Sequence, residues 1–176
     1  SPPQGRRVGV VGLGGGRSVL SSDECESAGL IVPQFSREVR QRLSEIIPEA
    51  GTSVRNPIDS APAVAQNIEY YSRTLEIVAQ SEGTDFLIVY LHAEVPMYAD
   101  TPTLLQRHVE AVIKVAQTFG RPLAIVLSTS GAVWMANTVY EAQQACLRAG
   151  LAVYPSIGRA AWAIGRFIGY HEDRRS

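Results

Sequence analysis

The sequence has little cysteine, no excess of charge of either sign and no long apolar run. Two cysteines, Cys25 and Cys146, exclude a disulfide framework and a cysteine-rich zinc site. The 16 basic and 17 acidic residues leave a formal net charge of −1, which disfavours general binding to nucleic acid or to an anionic membrane surface. Without a run of about 18 apolar residues, no transmembrane helix is expected. These features favour a protein of the reducing cytoplasm.

The remaining composition is that of an ordinary folded domain. Hydrophobic residues make up 45% of the 176 residues and charged residues 19%, which is too apolar for a disordered chain. The first residues lack the apolar core of a signal peptide. We expect residues 1–6 to be a linker or a cut end, residues 7–171 to form one domain, and residues 172–176 to be a tail or linker.

Short apolar runs alternate with longer amphipathic segments along the chain. Strands are predicted at residues 7–12, 30–33, 85–91, 122–127 and 151–154, and the first helix at residues 18–28. This alternation is typical of a parallel sheet with helices on both faces. The sequence therefore predicts an α/β fold, a flavodoxin-like three-layer αβα sandwich with five parallel strands in the order 2-1-3-4-5. Sites in such folds lie at the carboxyl ends of the strands.

A glycine-rich stretch, residues 12–18 (GLGGGRS), joins the first strand to the first helix. Glycine allows close approach of the backbone, and a helix start offers unpaired N–H groups and the positive end of the helix dipole. We therefore expect an anion site suited to phosphate. Its predicted residues are Gly14, Gly15, Gly16, Arg17 and Ser18. A tight turn that only packs the helix on the strand is the alternative at this point.

Several better-known chemistries are excluded by the residues. The glycine-rich stretch lacks the Lys-Ser/Thr pair of a Walker loop, and Arg17 stands where a dinucleotide-binding loop needs its third glycine. No His, Cys or acidic set has metal-ligand spacing, so no metal site is expected. No triad is recognisable, and we expect no catalytic residue in this chain. His92 follows the third strand and by position is the best candidate for acid–base chemistry.

A second polar segment, residues 54–60 (VRNPIDS), is expected beside the glycine-rich stretch. Asn56 and Asp59 have short polar side chains that readily bond backbone groups. One interpretation is an Asx-type turn that ties this loop down. The other is that Asn56 and Asp59 support the glycine-rich stretch.

Three segments, in this order, resemble one domain of the nucleoside-diphosphate-forming (ADP-forming) acyl-CoA synthetases, relatives of succinyl-CoA synthetase. Residues 11–23 with residues 26–30 resemble the family's opening, T-N-x-G-G-x-G-V-L-A-A-D … E-x-A-G-L. Residues 54–59 resemble its x-x-N-P-x-D loop. Residues 150–161 resemble its G-I-P-V-F-x-S-x-x-R-A close. The matching domain is the second flavodoxin-like ligase domain, not the domain that carries the phosphorylated histidine.

The resemblance implies a part of an enzyme that converts an acid, CoA and ATP to acyl-CoA, ADP and phosphate. The glycine-rich stretch and the following helix would stabilise a phosphohistidine of a neighbouring domain. CoA, ATP or ADP, phosphate and magnesium would serve the full enzyme, and this chain alone would bind none of them. Its partners would be CoA-binding, phosphohistidine and ATP-grasp domains, and we expect the isolated chain to be inactive. The alternative is a structural or regulatory module of a multidomain protein, such as an acetyltransferase fusion.

The chain departs from the family pattern at three positions of the glycine-rich stretch. Leu13 stands in the place of the family's asparagine, Arg17 in the usual proline place, and Ser18 in the place of the last glycine. The resemblance therefore implies either a different mode of phosphate binding or a diverged activity.

Overall fold

The computed structural model describes residues 3–12, 15–47, 52–59, 61–94 and 101–174. Within these ranges five parallel strands form one sheet in the order β2-β1-β3-β4-β5. The strands are β1 (Val8–Gly12), β2 (Ile58–Asp59), β3 (Phe86–His92), β4 (Leu123–Ser128) and β5 (Ala152–Tyr154). The predicted α/β class and the strand order 2-1-3-4-5 are confirmed.

Helices connect the strands and cover both faces of the sheet. They are α1 (Gly15–Ser27), α2 (Arg37–Ser44), α3 (Ala61–Gln66), α4 (Ile68–Ala79), α5 (Thr101–Phe119), α6 (Ala136–Arg148) and α7 (Ile157–Asp173), with a 3-10 turn at Val133–Met135. Side-chain caps fix the residues at which several of these helices begin. Ser36, Asn67 and Ser156 each accept a hydrogen bond from an N–H of the helix turn that follows.

Alternate residues of β3 divide the core into two layers. Phe86, Ile88 and Tyr90 belong to a buried cluster with residues of α1 and α7. Leu87, Val89 and Leu91 belong to a second cluster, which residues of α2 through α6 complete on the opposite face. Successive side chains of a strand point to opposite faces. His92 at the end of β3 therefore continues the face that α1 and α7 cover.

The second strand is not the apolar run that the sequence pattern indicated. In the predicted strand 30–33 only Ile31 pairs with the sheet, as an isolated parallel bridge to Arg7. Pro33 ends the run because proline has no N–H to donate to a ladder. The chain returns to this edge at β2, where Ile58 pairs with Val11. The edge beside β1 is therefore built from two separate pieces of chain.

Candidate functional site

The first turn of α1 lies directly beyond the carboxyl end of β1. α1 begins at Gly15, three residues before the predicted helix start, so Gly15, Gly16, Arg17 and Ser18 are helical rather than part of a loop. A helix can begin on glycine because the N–H groups of its first turn need no partner within the helix. Gly14, together with Leu13, lies outside the described residues.

The beginning of α1 is a positively charged region of the surface. No acidic residue lies in the first turn to offset the helix dipole. The exposed Arg17 adds a full charge there. Its guanidinium carbon stands 5.1 Å from the centre of the Tyr90 ring, which places this cation against the carboxyl end of β3. The arrangement suits an incoming anion.

The side chain of Asn56 fills the gap between the two pieces of the sheet edge. Its Oδ1 accepts a hydrogen bond from the N–H of Val10 at 2.9 Å. Its Nδ2 donates to the carbonyl oxygens of Val8 at 2.7 Å and Pro33 at 2.8 Å. Asn56 is buried, and its amide takes the place that a strand peptide would occupy beside β1. It therefore holds the strand that leads into α1.

Asp59 lies at the same edge of the sheet. It pairs in register with Gly12, the last residue of β1. Its backbone also exchanges two hydrogen bonds of 2.9 Å with Ser53, and the residue is buried. The structure thus brings Asn56 and Asp59 together beside β1, next to the start of α1.

His92 stands at the carboxyl end of β3 beside β4. Its Nδ1 lies 3.2 Å from the carbonyl oxygen of Ser128 and 3.9 Å from a carboxylate oxygen of Glu94. A carbonyl oxygen only accepts hydrogen bonds, so this contact places a proton on Nδ1. The ring is partly exposed and is held in one orientation.

Glu94 organises the segment that follows β4. Its carboxylate accepts hydrogen bonds from the hydroxyl of Thr129, from the N–H of Ser130 at 2.8 Å and from the N–H of Ala132. Burial by itself raises the pKa of Glu94, but these hydrogen bonds and the nearby His92 outweigh burial and lower the pKa below its ordinary value. The carboxylate is therefore ionised at neutral pH.

Glu94→Gln is expected to lower the free energy of unfolding by about 1–2 kcal/mol, since a neutral amide loses charge-assisted hydrogen bonds. Because the pKa of Glu94 is lowered in the folded state, its contribution is fully present above its unfolded pKa, near 4.5, and is lost as the pH falls through the folded value. Urea unfolding at a series of pH values should show the two proteins converging in acid.

The exposed residue Glu110 of α5 provides the control for this experiment. Glu110→Gln should leave the stability at pH 7 nearly unchanged, because an exposed carboxylate contributes little. A difference between Glu94→Gln and the parent that stayed constant from neutral to acidic pH would contradict the assignment.

The sequence pattern did not indicate two residues that contribute to this site. Tyr90 lies under Arg17, and Glu94 holds the segment after β4. Strand alternation was the available signal for Tyr90, because it places Tyr90 and His92 on the same face of β3. Nothing in the sequence indicates the partners of Glu94, which lie about 35 residues further along the chain.

Within the described ranges, no group of three or more His, Cys, Asp or Glu side chains is arranged to hold a metal ion. None of the helices described is both long and apolar enough to cross a membrane.

No protein-family model matches the chain. Among curated proteins, the ADP-forming acetate–CoA ligase II of Archaeoglobus fulgidus is 29% identical over 174 residues, which are 98% of this chain and 24% of that protein. Subunit alpha of the ADP-forming acetate–CoA ligase II of Pyrococcus furiosus is 30% identical over 169 residues, covering 92% of this chain and 34% of the subunit. The chain therefore spans only about a quarter and about a third of the length of these two relatives.

Solved structures show the same fold within larger chains. The dinucleotide-forming acetyl-coenzyme A synthetase 1 of Candidatus Korarchaeum cryptofilum superposes with a TM-score of 0.77 in its apo form and 0.79 in its complex with phosphate and ADP. Both alignments cover 99% of this chain and 35% of the larger one, at 19% and 20% identity. At this level of identity the likeness concerns the three-layer flavodoxin-like fold.

Proposed function

Because the chain is a domain of the NDP-forming acyl-CoA synthetase family, we propose that it works within an ADP-forming acid–CoA ligase, where it presents the start of α1 to a phosphohistidine on another domain. The observation that carries this proposal is the position of α1. Its first turn begins at Gly15 just beyond β1, on the edge of the sheet where parallel α/β folds bind ligands.

The proposed role is electrostatic. A phosphoryl group on a histidine carries negative charge, and the N–H groups of Gly15 and Gly16 with the dipole of α1 stabilise that charge without forming a covalent bond. Arg17 adds a charged donor. The donors belong to a helix that is already folded, so little reorganisation accompanies arrival of the phosphoryl group. The reacting histidine lies on another domain, so this chain supplies no catalytic residue.

Asn56 and Asp59 support this role by holding β1, the strand that leads into α1. Asn56 bonds the backbone of β1 at Val8 and Val10, and Asp59 is in register with Gly12. Both contacts fix the end of the strand from which α1 departs. A phosphate site built from backbone N–H groups depends on such support, because its geometry is that of the backbone itself.

The other components of the reaction belong to the rest of the enzyme. The relatives are ligases by name, and the chain spans only 24% and 34% of their length. CoA, ATP or ADP, magnesium and the phosphohistidine are accordingly assigned to CoA-binding, ATP-grasp and phosphohistidine domains in the same protein or complex. The isolated chain should not form acyl-CoA from an acid, CoA and ATP.

The three departures from the family pattern fit this role in a modified form. Arg17 replaces a proline, and its charge lies in the first turn of α1. We propose that the positive charge of Arg17 attracts the phosphoryl group. In the family pattern this position is uncharged, so the attraction comes from the backbone N–H groups alone. Ser18 stands in the place of the pattern's last glycine, and the strength of binding at this helix start then depends on the arginine.

Arg17→Ala in the full-length enzyme is expected to slow phosphoryl transfer about tenfold, since a charge-assisted contact to the phosphoryl group is lost. ADP formation in the presence of acid and CoA, together with the amount of phosphohistidine formed, measures the effect. Arg148→Ala, an exposed change in the last turn of α6, is the matched control and should leave both readouts unchanged.

Three results would contradict the proposal in different ways. Equal phosphoryl transfer by Arg17→Ala and the parent would reject the role of this residue. Acyl-CoA formation by the isolated chain would reject its dependence on other domains. A full-length protein without any ATP-dependent acyl-CoA formation would reject the ligase and leave the structural or regulatory module.

A further inference from the structure

The helices α1 and α7 lie side by side on the same face of the sheet. Glycines of α7 allow the close approach. A Cβ built on Gly158 would lie 3.2 Å from Glu24 Oε1, near the middle of α1. A Cβ built on Gly165, two turns further along α7, would lie 2.4 Å from the carbonyl oxygen of Ala28, just after α1 ends. The residue numbers rise together along both helices, so α1 and α7 run in the same direction.

Five large apolar side chains are exposed on the outer surface of this helix pair. We call this surface the α1–α7 face and define it by the exposed side chains within residues 19–26 and 159–170. The five apolar residues are Val19 and Leu20 of α1 and Trp162, Phe167 and Tyr170 of α7. Single exposed apolar residues are ordinary, but a set of this size on one surface marks a place where another molecule binds.

The two halves of the α1–α7 face carry opposite charge. Beyond its first turn, the charged residues of α1 are all acidic, namely Asp23, Glu24 and Glu26. The charged residues of α7 before its last turn are both basic, namely Arg159 and Arg166. Within the described ranges, none of these five charged side chains forms an ion pair. The charges of this face are therefore available to a partner.

Charged and apolar side chains lie together on the outward side of each helix. Val19 and Asp23 are four residues apart on α1, and Arg159, Trp162 and Arg166 follow one another at spacings of three and four on α7. The guanidinium carbon of Arg166 stands 5.7 Å from the centre of the Trp162 ring. Tryptophan and arginine are the residue types that contribute most to protein interfaces.

A second copy of the chain fits the α1–α7 face, because the acidic half of one copy covers the basic half of the other. In a two-fold symmetric contact every pairing occurs twice. A two-fold axis that runs between the two helices and parallel to them places α1 of one copy on α7 of the other. An axis across the helices would instead place α1 on α1 and α7 on α7, with like charges facing each other. The charges select the first arrangement.

We propose that two copies of this chain associate through the α1–α7 face, with α1 of each copy packed against α7 of the other. The formal net charge of −1 opposes the approach of two copies very little. The contact lies along the sides of the helices, from residue 19 onward on α1, and leaves the start of α1 at the edge of the sheet. It goes beyond the proposed function, which concerns that start.

Sedimentation equilibrium of the whole chain measures the association. We expect a concentration-dependent dimer that is populated below about 1 mM chain. Raising the ionic strength from about 0.05 M to about 0.5 M should weaken the dimer about tenfold, because salt screens the attraction between the acidic and basic halves. A dimer that salt strengthened would have like charges in contact and would overturn the arrangement. A chain that stayed monomeric at about 1 mM would reject the second copy and leave the face to another domain.

Two charge-reversed variants identify the surfaces in contact. Asp23→Lys with Glu26→Lys makes the α1 half basic like the α7 half, and Arg159→Glu with Arg166→Glu makes the α7 half acidic like the α1 half. Each variant alone should be monomeric, because like charges then face each other. An equimolar mixture of the two should recover the dimer, since each half again meets its opposite. A mixture that stayed monomeric would contradict the pairing of α1 with α7.

Glu110→Lys with Glu141→Lys is the matched control for the first variant. It changes the net charge by the same amount, at exposed positions of α5 and α6 on the opposite face of the sheet. The dimer should persist in this control. If the control and Asp23→Lys with Glu26→Lys dissociated the dimer equally, net charge and not the α1–α7 face would govern the association.

A tryptophan pair tests the apolar part of the contact. Trp162→Ala should weaken the dimer at least about tenfold, because a central tryptophan is the typical hot spot of an interface. Trp134→Ala is the matched control, since Trp134 is as exposed as Trp162 but follows β4, outside the α1–α7 face. Equal dimer affinities of the two variants would reject the contact at Trp162. Phosphoryl transfer is measured separately, so failure of either proposal leaves the other standing.

Discussion

Asn56→Ala is expected to lower the free energy of unfolding by about 2–4 kcal/mol, because it leaves buried backbone groups of β1 without partners. Three hydrogen bonds of the Asn56 side chain disappear together, to Val8, Val10 and Pro33. No nearby strand replaces them, since the sheet edge is interrupted between Ile31 and β2. Urea unfolding of the chain measures the loss.

Two further variants identify the cause. Asn67→Ala removes an exposed asparagine that caps α4, and a lost cap costs about 1 kcal/mol. Asn56→Asp keeps the size and the acceptor but removes the donor that serves two carbonyl oxygens, so it should be as damaging as Asn56→Ala. Equal losses from Asn56→Ala and Asn67→Ala would mean that the amide of Asn56 does not complete the sheet edge.

Elements with a strong apolar run could be predicted from the sequence, and β2 could not. β3 has seven consecutive residues, six of them buried, so its pattern is that of a strand covered on both faces. β2 has two residues, preceded by Asn56 and Pro57, and the same letters are typical of a turn. The run at residues 30–33 has the pattern of a strand, but an asparagine side chain replaces most of its pairing with β1.

The candidate site could be predicted only as far as it is continuous in sequence. Residues 15–18 follow a strand and contain glycines, and they lie at the expected edge of the sheet, although residues 15–17 are already helical where the sequence indicated a loop. A small pocket between α1 and α7 is lined by residues of four elements, α1, β3, β4 and the start of α7, and no spacing in the sequence brings Glu24, Tyr90 and Ser156 together. Only the close packing of α1 on α7 does so.

Gly165→Ala is expected to destabilise the chain by about 3 kcal/mol, because the added methyl group overpacks a closed interface. A Cβ on Gly165 of α7 would lie 2.4 Å from the carbonyl oxygen of Ala28, which is backbone and cannot turn aside. Ala28 directly follows α1, so relief of the clash moves α1 away from α7. The same variant in the full-length enzyme should therefore slow phosphoryl transfer. Thermal unfolding and transfer rates measure the two effects.

Gly169→Ala, one turn further along α7, is the matched control. The atom nearest to its Cβ is the end of the Arg6 side chain at 3.6 Å, an ordinary contact. Alanine favours the helix over glycine by about 0.5–1 kcal/mol, so this variant should stabilise the chain. The same substitution on the same helix then has opposite signs four residues apart. If both variants stabilised the chain, α1 and α7 would be separated by more than the 2.4 Å contact at Gly165 indicates.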